Sequence, residues 1–355
     1  MEAHFAWWQE SAGRQDAGMR SSKFARPFSR AYSTHAAAST DTSALSANVA
    51  RSAGLFVTFL PYSSTCGQSA SQSSRGFLNV FPSASWSAYC VIANMNALPP
   101  AEIKAAVDSG YFFMKIKIGQ PGTQEEMLAK DMARVSQIHA VLKDCRTPYT
   151  KSGKLPYYFD ANGRYEKKET LLRFIDHLKK IGAYEQVAII EEPFDEYADI
   201  DVHDIPLRLA ADESAHTVKD ALERIEMGYR AMALKPIAKT MSMSMKIAQA
   251  AFEKGVPCFC ADLTVCPAMV EWNKAVAARL PAFPGIGDLG LVETNGHQNF
   301  RNWETMRRDL AYPDAHWTRT ERGVFECDAD YWAKSGGILE PMPRYEKMYE
   351  RLRSS

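Results

Sequence analysis

Val187-Ala188-Ile189-Ile190-Glu191, followed by Glu192-Pro193, and then Leu207-Arg208-Leu209-Ala210-Ala211-Asp212, followed by Glu213-Ser214, decide the fold. Each is a short apolar run that closes on an acid, the form of a strand buried on both faces. Outward from this pair, short apolar runs that close on a charged residue recur at Pro156 to Asp160, at Arg230 to Lys235 and at Pro257 to Asp262. Cys90 to Met95 and Phe112 to Ile118 precede them, and a weaker apolar run near Ile286 follows. Five successive strands therefore finish on Asp160, Glu191, Asp212, Lys235 and Asp262, at intervals of about 20 to 30 residues, the length of one βα unit.

Helical patterns fill the gaps. Leu128, Met132, Val135, Ile138 and Leu142 recur at steps of three and four, behind a capping box of Thr123 and Glu126. Leu171, Phe174, Ile175 and Leu178 form a second apolar face, and Val218, Leu222 and Ile225 a third, which Gly228 terminates. Strands separated by helices either close as a parallel barrel or lie open as a doubly wound sheet. The open fold calls for a glycine-rich phosphate turn after its first strand, and Asn94-Met95-Asn96-Ala97 contains no glycine. The barrel is expected.

In a parallel barrel all C-terminal strand ends lie on one face, so Asp160, Glu191 and Asp212 converge at one mouth. A single acid after a strand is an ordinary helix cap. Three in succession, with lysines on flanking strands, repel one another unless a cation sits among them, and hard oxygen donors favour Mg²⁺, with Mn²⁺ as a substitute. Lys115 and Lys117, two residues apart in one strand, point the same way. A lysine beside a divalent cation has its charged form disfavoured, which is expected to bring its pKa toward the range of a general base. Metal and base together suit removal of a proton α to a carboxylate, because the metal stabilises the enolate's added charge.

The bulk composition excludes other classes. The 355 residues carry 42 basic and 42 acidic side chains, so charge favours neither nucleic acid nor an anionic membrane. No apolar run approaches the roughly 20 residues that cross a bilayer. The seven cysteines show no paired framework and no zinc spacing, and read as buried thiols of a reducing compartment. Residues 1–85 differ in character: rich in Ser and Ala, with no acid between Asp41 and Glu102. That is the composition of an organellar transit peptide, and Arg30-Ala31-Tyr32-Ser33 resembles a mitochondrial processing site; the other reading is a disordered extension or the remnant of a domain. Cytoplasmic and mitochondrial locations both remain open, and N-terminal sequencing of the mature protein distinguishes them.

These residues resemble the enolase superfamily, within it the muconate-lactonizing-enzyme subgroup, over about residues 90–300. Lys115-Ile116-Lys117 is similar to the family's Lys-x-Lys strand, whose second lysine is the base. Asp160-Ala161-Asn162-Gly163, Glu191-Glu192-Pro193 and Ala211-Asp212-Glu213-Ser214 are similar to its three metal motifs, and Ala233-Leu234-Lys235-Pro236 falls where the subgroup keeps an opposed lysine. Any one tripeptide is a weak signal; their order at barrel spacing is a strong one. The resemblance implies an α/β protein with a modified TIM-type (β/α)7β barrel at 86–303, a C-terminal return at 304–355 containing Tyr331, Trp332 and Tyr345, and an incomplete or degenerate α+β capping domain in 1–85. It implies Asp160, Glu191 and Asp212 as ligands of Mg²⁺, Lys117 and Lys235 as opposed acid/base lysines, and Lys115 steering a substrate carboxylate. Glu213 is expected to hold Lys235; Asn162, Asp262 and Glu293 are further candidates for substrate or supporting contacts.

The expected activity is that of a Mg²⁺-dependent lyase or isomerase acting on a small carboxylate, with racemisation or epimerisation of amino-acid derivatives or dipeptides foremost. The rival readings are a cycloisomerase or dehydratase of the same superfamily and a capless, non-catalytic ligand-binding derivative. A homo-oligomer is left open. The chain also departs from the family. Ala238-Lys239-Thr240-Met241 replaces a frequent Gly-Gly segment after the second lysine, and Asp288 is followed by Leu289-Gly290 rather than completing the Asp-x-Asp of dipeptide epimerases. No histidine stands in for Lys235 as in the mandelate-racemase branch, and no His-x-His closes the first strand.

Overall fold

In a computed structural model, which describes residues 88–94, 98–261, 264–287 and 289–354, the apolar runs become a ring of eight parallel strands. They are β1 (Ala88–Asn94), β2 (Phe113–Lys117), β3 (Tyr157–Asp160), β4 (Val187–Glu191), β5 (Leu209–Ala211), β6 (Ala231–Leu234), β7 (Cys258–Cys260) and β8 (Gly290–Thr294). Each pairs with its neighbour in sequence, and β1 pairs in parallel with both β8 and β2, which closes the barrel. A ninth strand, β9 (Val324–Glu326), runs antiparallel along residues Ala88 to Cys90 of β1, where that strand extends below its pairing with β2.

Helices α1 (Pro100–Asp108), α2 (Gln124–Leu142), α3 (Lys168–Ile181), α4 (Val218–Glu226), α5 (Met241–Glu253) and α6 (Pro267–Ala277) cover the ring. The expected apolar faces are the buried ones: Leu128, Val135, Ile138 and Leu142 on α2, and Leu171, Phe174, Ile175 and Leu178 on α3. Thr123 and Glu126 form the reciprocal capping box, and α3 ends on Gly182 at φ 77°, a left-handed position where a Cβ is unfavourable.

Two expectations are corrected. No strand forms near Ile286. Gly285 and Gly287, at φ 95° and 56°, turn the chain there, the Phe283 N–H to Leu289 carbonyl bond closes the turn, and Ile286 fills the core from a loop. Strand β8 follows, so the residues at its C-terminal end are Glu293, Thr294 and Asn295; Asp288 lies outside the described residues. Nor does a helix separate β4 from β5. Residues 192–208 cross as a loop containing Pro193 and Pro206, anchored by buried Phe194, Val202, Ile205 and Leu207. The Arg224 guanidinium on α4 donates to the Ala198 and Glu196 carbonyls, which satisfies two of the loop's backbone acceptors.

The segment after β8 carries α7 (Gly296–Asn299), α8 (Trp303–Arg307), α9 (Ala329–Ala333) and α10 (Pro343–Ser354), with α8 against α6. Its anchor is a buried ion pair. Lys274, 0% exposed, stands 2.7 Å from Glu271 Oε1 on the same helix. It donates to the Trp317 carbonyl and lies 4.2 Å from the centre of the Phe325 ring. Trp317 and Tyr331 are buried, whereas Leu339, Met348 and Tyr349 are exposed.

Burial pushes the Glu271 carboxyl up to about 7 against the opposing pull of Lys274. A carboxyl raised on folding adds stability that is full below its unfolded value, near 4.5, and is lost as pH rises through about 7. The melting temperature of the wild type minus that of a Glu271→Gln variant is therefore expected to fall between those two pH values. A flat difference would remove Glu271 as the titrating group.

The transit-peptide and capping-domain expectations for 1–85 lie outside the described residues, as does Asp262. Among the described residues no helix is long and apolar enough to cross a membrane. Of the described cysteine side chains, Cys258 and Cys260 are buried free thiols, Cys145 and Cys266 are also free, and Cys327 is buried.

Candidate active site

Strand register sets the site. Lys117 of β2, Asp160 of β3 and Glu191 of β4 lie side by side as successive pairs, and Glu191 pairs with Ala210, which puts Asp212 one pleat nearer the mouth. Lys235 follows β6, which stands four strands from β2 either way round the ring of eight, so Lys117 and Lys235 enter from opposite walls. The βα turns here are strained: Asn162, Glu192, Thr240 and Thr264, at φ 44°, 38°, 67° and 59°, are non-glycine residues at positive φ. Such conformations cost about 1 to 3 kcal/mol each and persist where surrounding contacts over-determine them.

Lys115 is at the centre. Its Nζ lies 2.9 Å from Asp160 Oδ2, 3.1 Å from Glu191 Oε2 and 3.0 Å from Glu293 Oε2, above the Tyr158 ring. Burial lowers its pKa, but Asp160, Glu191 and Glu293 override that and hold the ammonium well above the usual lysine range. Lys117 reaches further out. Its side chain is 22% exposed against 6% for Lys115, which makes it the lysine that a mouth-bound molecule meets. It sits 2.5 Å from Asp160 Oδ2 and donates to the Asn162 side-chain carbonyl, while the Asn162 amide donates to Glu213 Oε1 at 3.3 Å. Opposite, Lys235 is ion-paired with Asp212 Oδ2 and lies 3.6 Å from Glu213 Oε1.

At Lys235 the neighbouring carboxylates act against the lowering expected beside a bound cation. Burial lowers its pKa, but Asp212, Glu213 and Glu191 together raise it further than burial depresses it. Asp160 responds in kind: burial would lift its carboxyl, and Lys115 and Lys117 hold it below the ordinary range. Burial likewise pushes Asp212 up, and Lys235 and Lys239 outweigh it to bring the carboxyl down to about 2. Burial keeps Glu191 well above the usual value; Lys115 opposes this and Asp212 adds to it.

Glu191, Asp212 and Glu213 each offer an oxygen within 4.8 Å of the others. Asp160 stands outside that group, its Oδ2 taken by both Lys115 and Lys117, and joins it through Lys115, which touches Asp160 and Glu191 alike. The donor set fits a divalent cation. Glu191 is wholly buried, and its Oε1 accepts no hydrogen bond, an arrangement that a cation among oxygen ligands would satisfy.

Two residues make contacts that the sequence motifs do not assign. Glu192, 1% exposed, accepts the N–H groups of Asp212 at 2.6 Å and Ser214 at 3.2 Å, stapling the end of β5 to the end of β4. Its only sequence signal is adjacency to Glu191. Lys239 contacts Asp212 from the turn after β6, and its signal in the sequence is a lysine four residues beyond Lys235.

A model of enolase C-terminal domain-like proteins matches residues 100–320. Compared by sequence with curated proteins, the chain matches none. Among solved structures it is similar to a mandelate racemase/muconate lactonizing protein from Herpetosiphon aurantiacus, at 19% identity and a TM-score of 0.50, covering 62% of this chain and 57% of that one. It is also similar to a dipeptide epimerase from Methylococcus capsulatus complexed with Mg ion, at 19% identity and a TM-score of 0.50, covering 68% and 63%. These likenesses carry the fold, and the chain spans less than two thirds of either structure's own length.

Proposed function

The chain belongs to the enolase superfamily through its barrel domain, and from that premise we propose that it abstracts a proton α to the carboxylate of a small substrate, with Lys117 and Lys235 as opposed acid and base. The observation that carries this is the entry of those two lysines from opposite walls, above buried Asp160, Glu191 and Asp212. A racemase or epimerase of amino-acid derivatives or dipeptides is the outcome such opposition serves best, because a proton removed from one face is returned to the other.

Asp160, Glu191 and Asp212 would hold Mg²⁺ or Mn²⁺. The cation, when bound, supplies neutralisation of the negative charge that grows on the substrate carboxylate. The chain's own groups do the rest. Lys115, pinned among acids, keeps a positive charge beneath the carboxylate position. Asn162 holds the Lys117 Nζ, and Glu213 lies against Lys235, so each ammonium is aimed before a substrate arrives. Proton transfer then requires a neutral lysine on one face and a charged one on the other.

Incubation of the full chain with Mg²⁺ in D₂O and a panel of N-acylamino acids, dipeptides and cyclic carboxylates tests this by α-deuterium incorporation. Cation binding without any incorporation would replace it by the ligand-binding reading. The ligand set has its own check in Mn²⁺ affinity. Asp160→Asn is expected to weaken binding at least tenfold and Glu213→Gln by less than threefold; the reverse order would move the third ligand from Asp160 to Glu213.

A further inference from the structure

The turn from β6 into α5 carries two features that the expected acid/base chemistry does not use. The first is Lys239, whose side chain is 7% exposed. Its ammonium donates to the Asp212 carbonyl, to Asp212 Oδ1 at 3.3 Å and to the Ala215 carbonyl at 3.1 Å. An ammonium has three protons, so all are committed to the β5–α4 turn. The second is Thr240, at φ 67° and ψ 148°, a region that a β-branched residue enters only under constraint.

Contacts on both sides impose that conformation. The Lys235 carbonyl accepts the N–H groups of Ala238 at 3.0 Å and Lys239 at 2.8 Å, winding the turn tightly onto the residue that carries the expected base. Beyond it, Thr240 Oγ1 caps α5 by accepting the Met243 N–H at 3.3 Å. Between these anchors the backbone has little freedom, and Lys239 is delivered onto Asp212. That carboxylate is then gripped at both oxygens from one turn, Oδ2 by Lys235 and Oδ1 by Lys239. Its rotation about the Cβ–Cγ bond is blocked.

We propose that Lys239 is a positioning residue: it fixes the Asp212 carboxylate in the orientation that ligates a divalent cation and couples that ligand to the turn bearing Lys235. This rests on the metal-dependent reading above. Lys239 does not react, since its protons are spent on Asp212 and Ala215. A mere neutraliser of Asp212 would act differently, because a cation beside a ligand repels Mn²⁺ and its removal would tighten binding.

Mn²⁺ affinity by isothermal titration, with thermal melting alongside, separates the cases on the full chain. Loss of a group that orients a metal ligand typically weakens metal affinity about 10- to 100-fold. Lys239→Met is expected to weaken Mn²⁺ binding at least tenfold, and Lys239→Arg, which keeps charge and donors, by less than threefold. A Lys239→Met protein that melts lower but binds Mn²⁺ as the wild type does would show a structural role alone and overturn the proposal; so would tighter binding. Lys239→Gln, which keeps two donors without the charge, serves where Met prevents folding: at least threefold weakening supports positioning, and unchanged or tighter binding overturns it. A wild type that binds no Mn²⁺ overturns the functional reading and this inference with it, whereas binding by the wild type with no effect of the variants overturns this inference alone.

Discussion

Lys117→Ala protein, supplied with Mg²⁺ and a substrate found by the D₂O screen, is expected to lose deuterium exchange of one enantiomer by about a thousandfold, within the range for removal of a general acid or base. Lys235→Ala is expected to lose exchange of the other. The asymmetry follows from the ring: β2 and the end of β6 face each other across the barrel, so under the proposed function each lysine would serve one face of the α-carbon. Both variants should still bind Mn²⁺, because the oxygen donors remain. Equal loss of both exchanges in each single variant would mean that the lysines act as one unit. Full retention of exchange on both faces in Lys117→Ala would refute the two-base assignment.

The second large effect is on stability. Lys274→Ala removes an ammonium that is 0% exposed and leaves Glu271, 3% exposed, with its partner gone. Breaking a buried pair from one side costs about 3 to 5 kcal/mol. The cost should depend on pH. Burial already holds Glu271 near 7 with Lys274 present, and without it the carboxyl holds its proton still more firmly, so the loss is largest above neutrality and smaller near pH 5. Urea unfolding at the two pH values measures this. A loss below 1 kcal/mol above neutrality would show that water reaches Glu271 and that the return segment is not anchored there.

Much of the site is legible in the sequence because it is written in local pattern. Asp160, Glu191 and Lys235 each end or immediately follow a short apolar run, and all converge at one mouth. The Thr123–Glu126 cap and the α2 and α3 faces are equally local, depending on side chains three or four residues apart. Glu192 and Lys239 are not legible in that way. Their partners lie on other βα turns, at Asp212, Ser214 and Ala215, and nothing about their own neighbours foretells which turn will be adjacent. The misplaced strand near Ile286 has a similar cause, since burial makes a loop residue as apolar as a strand residue.

The sequence by itself determined which segments are strands and helices over most of the barrel, and which charged residues stand at the strand ends, because periodicity and capping act over a few residues. Only the tertiary structure decided what those charges do to one another. Closure of β1 onto both β8 and β2 brings Glu293 against Lys115, with Asp160 and Glu191 on the other side, and excludes water from all of them. Once water is excluded, the nearest opposite charge, and not the residue type, sets the protonation state. At Lys235 those charges are Asp212, Glu213 and Glu191, which hold the ammonium up against the burial that lowers it.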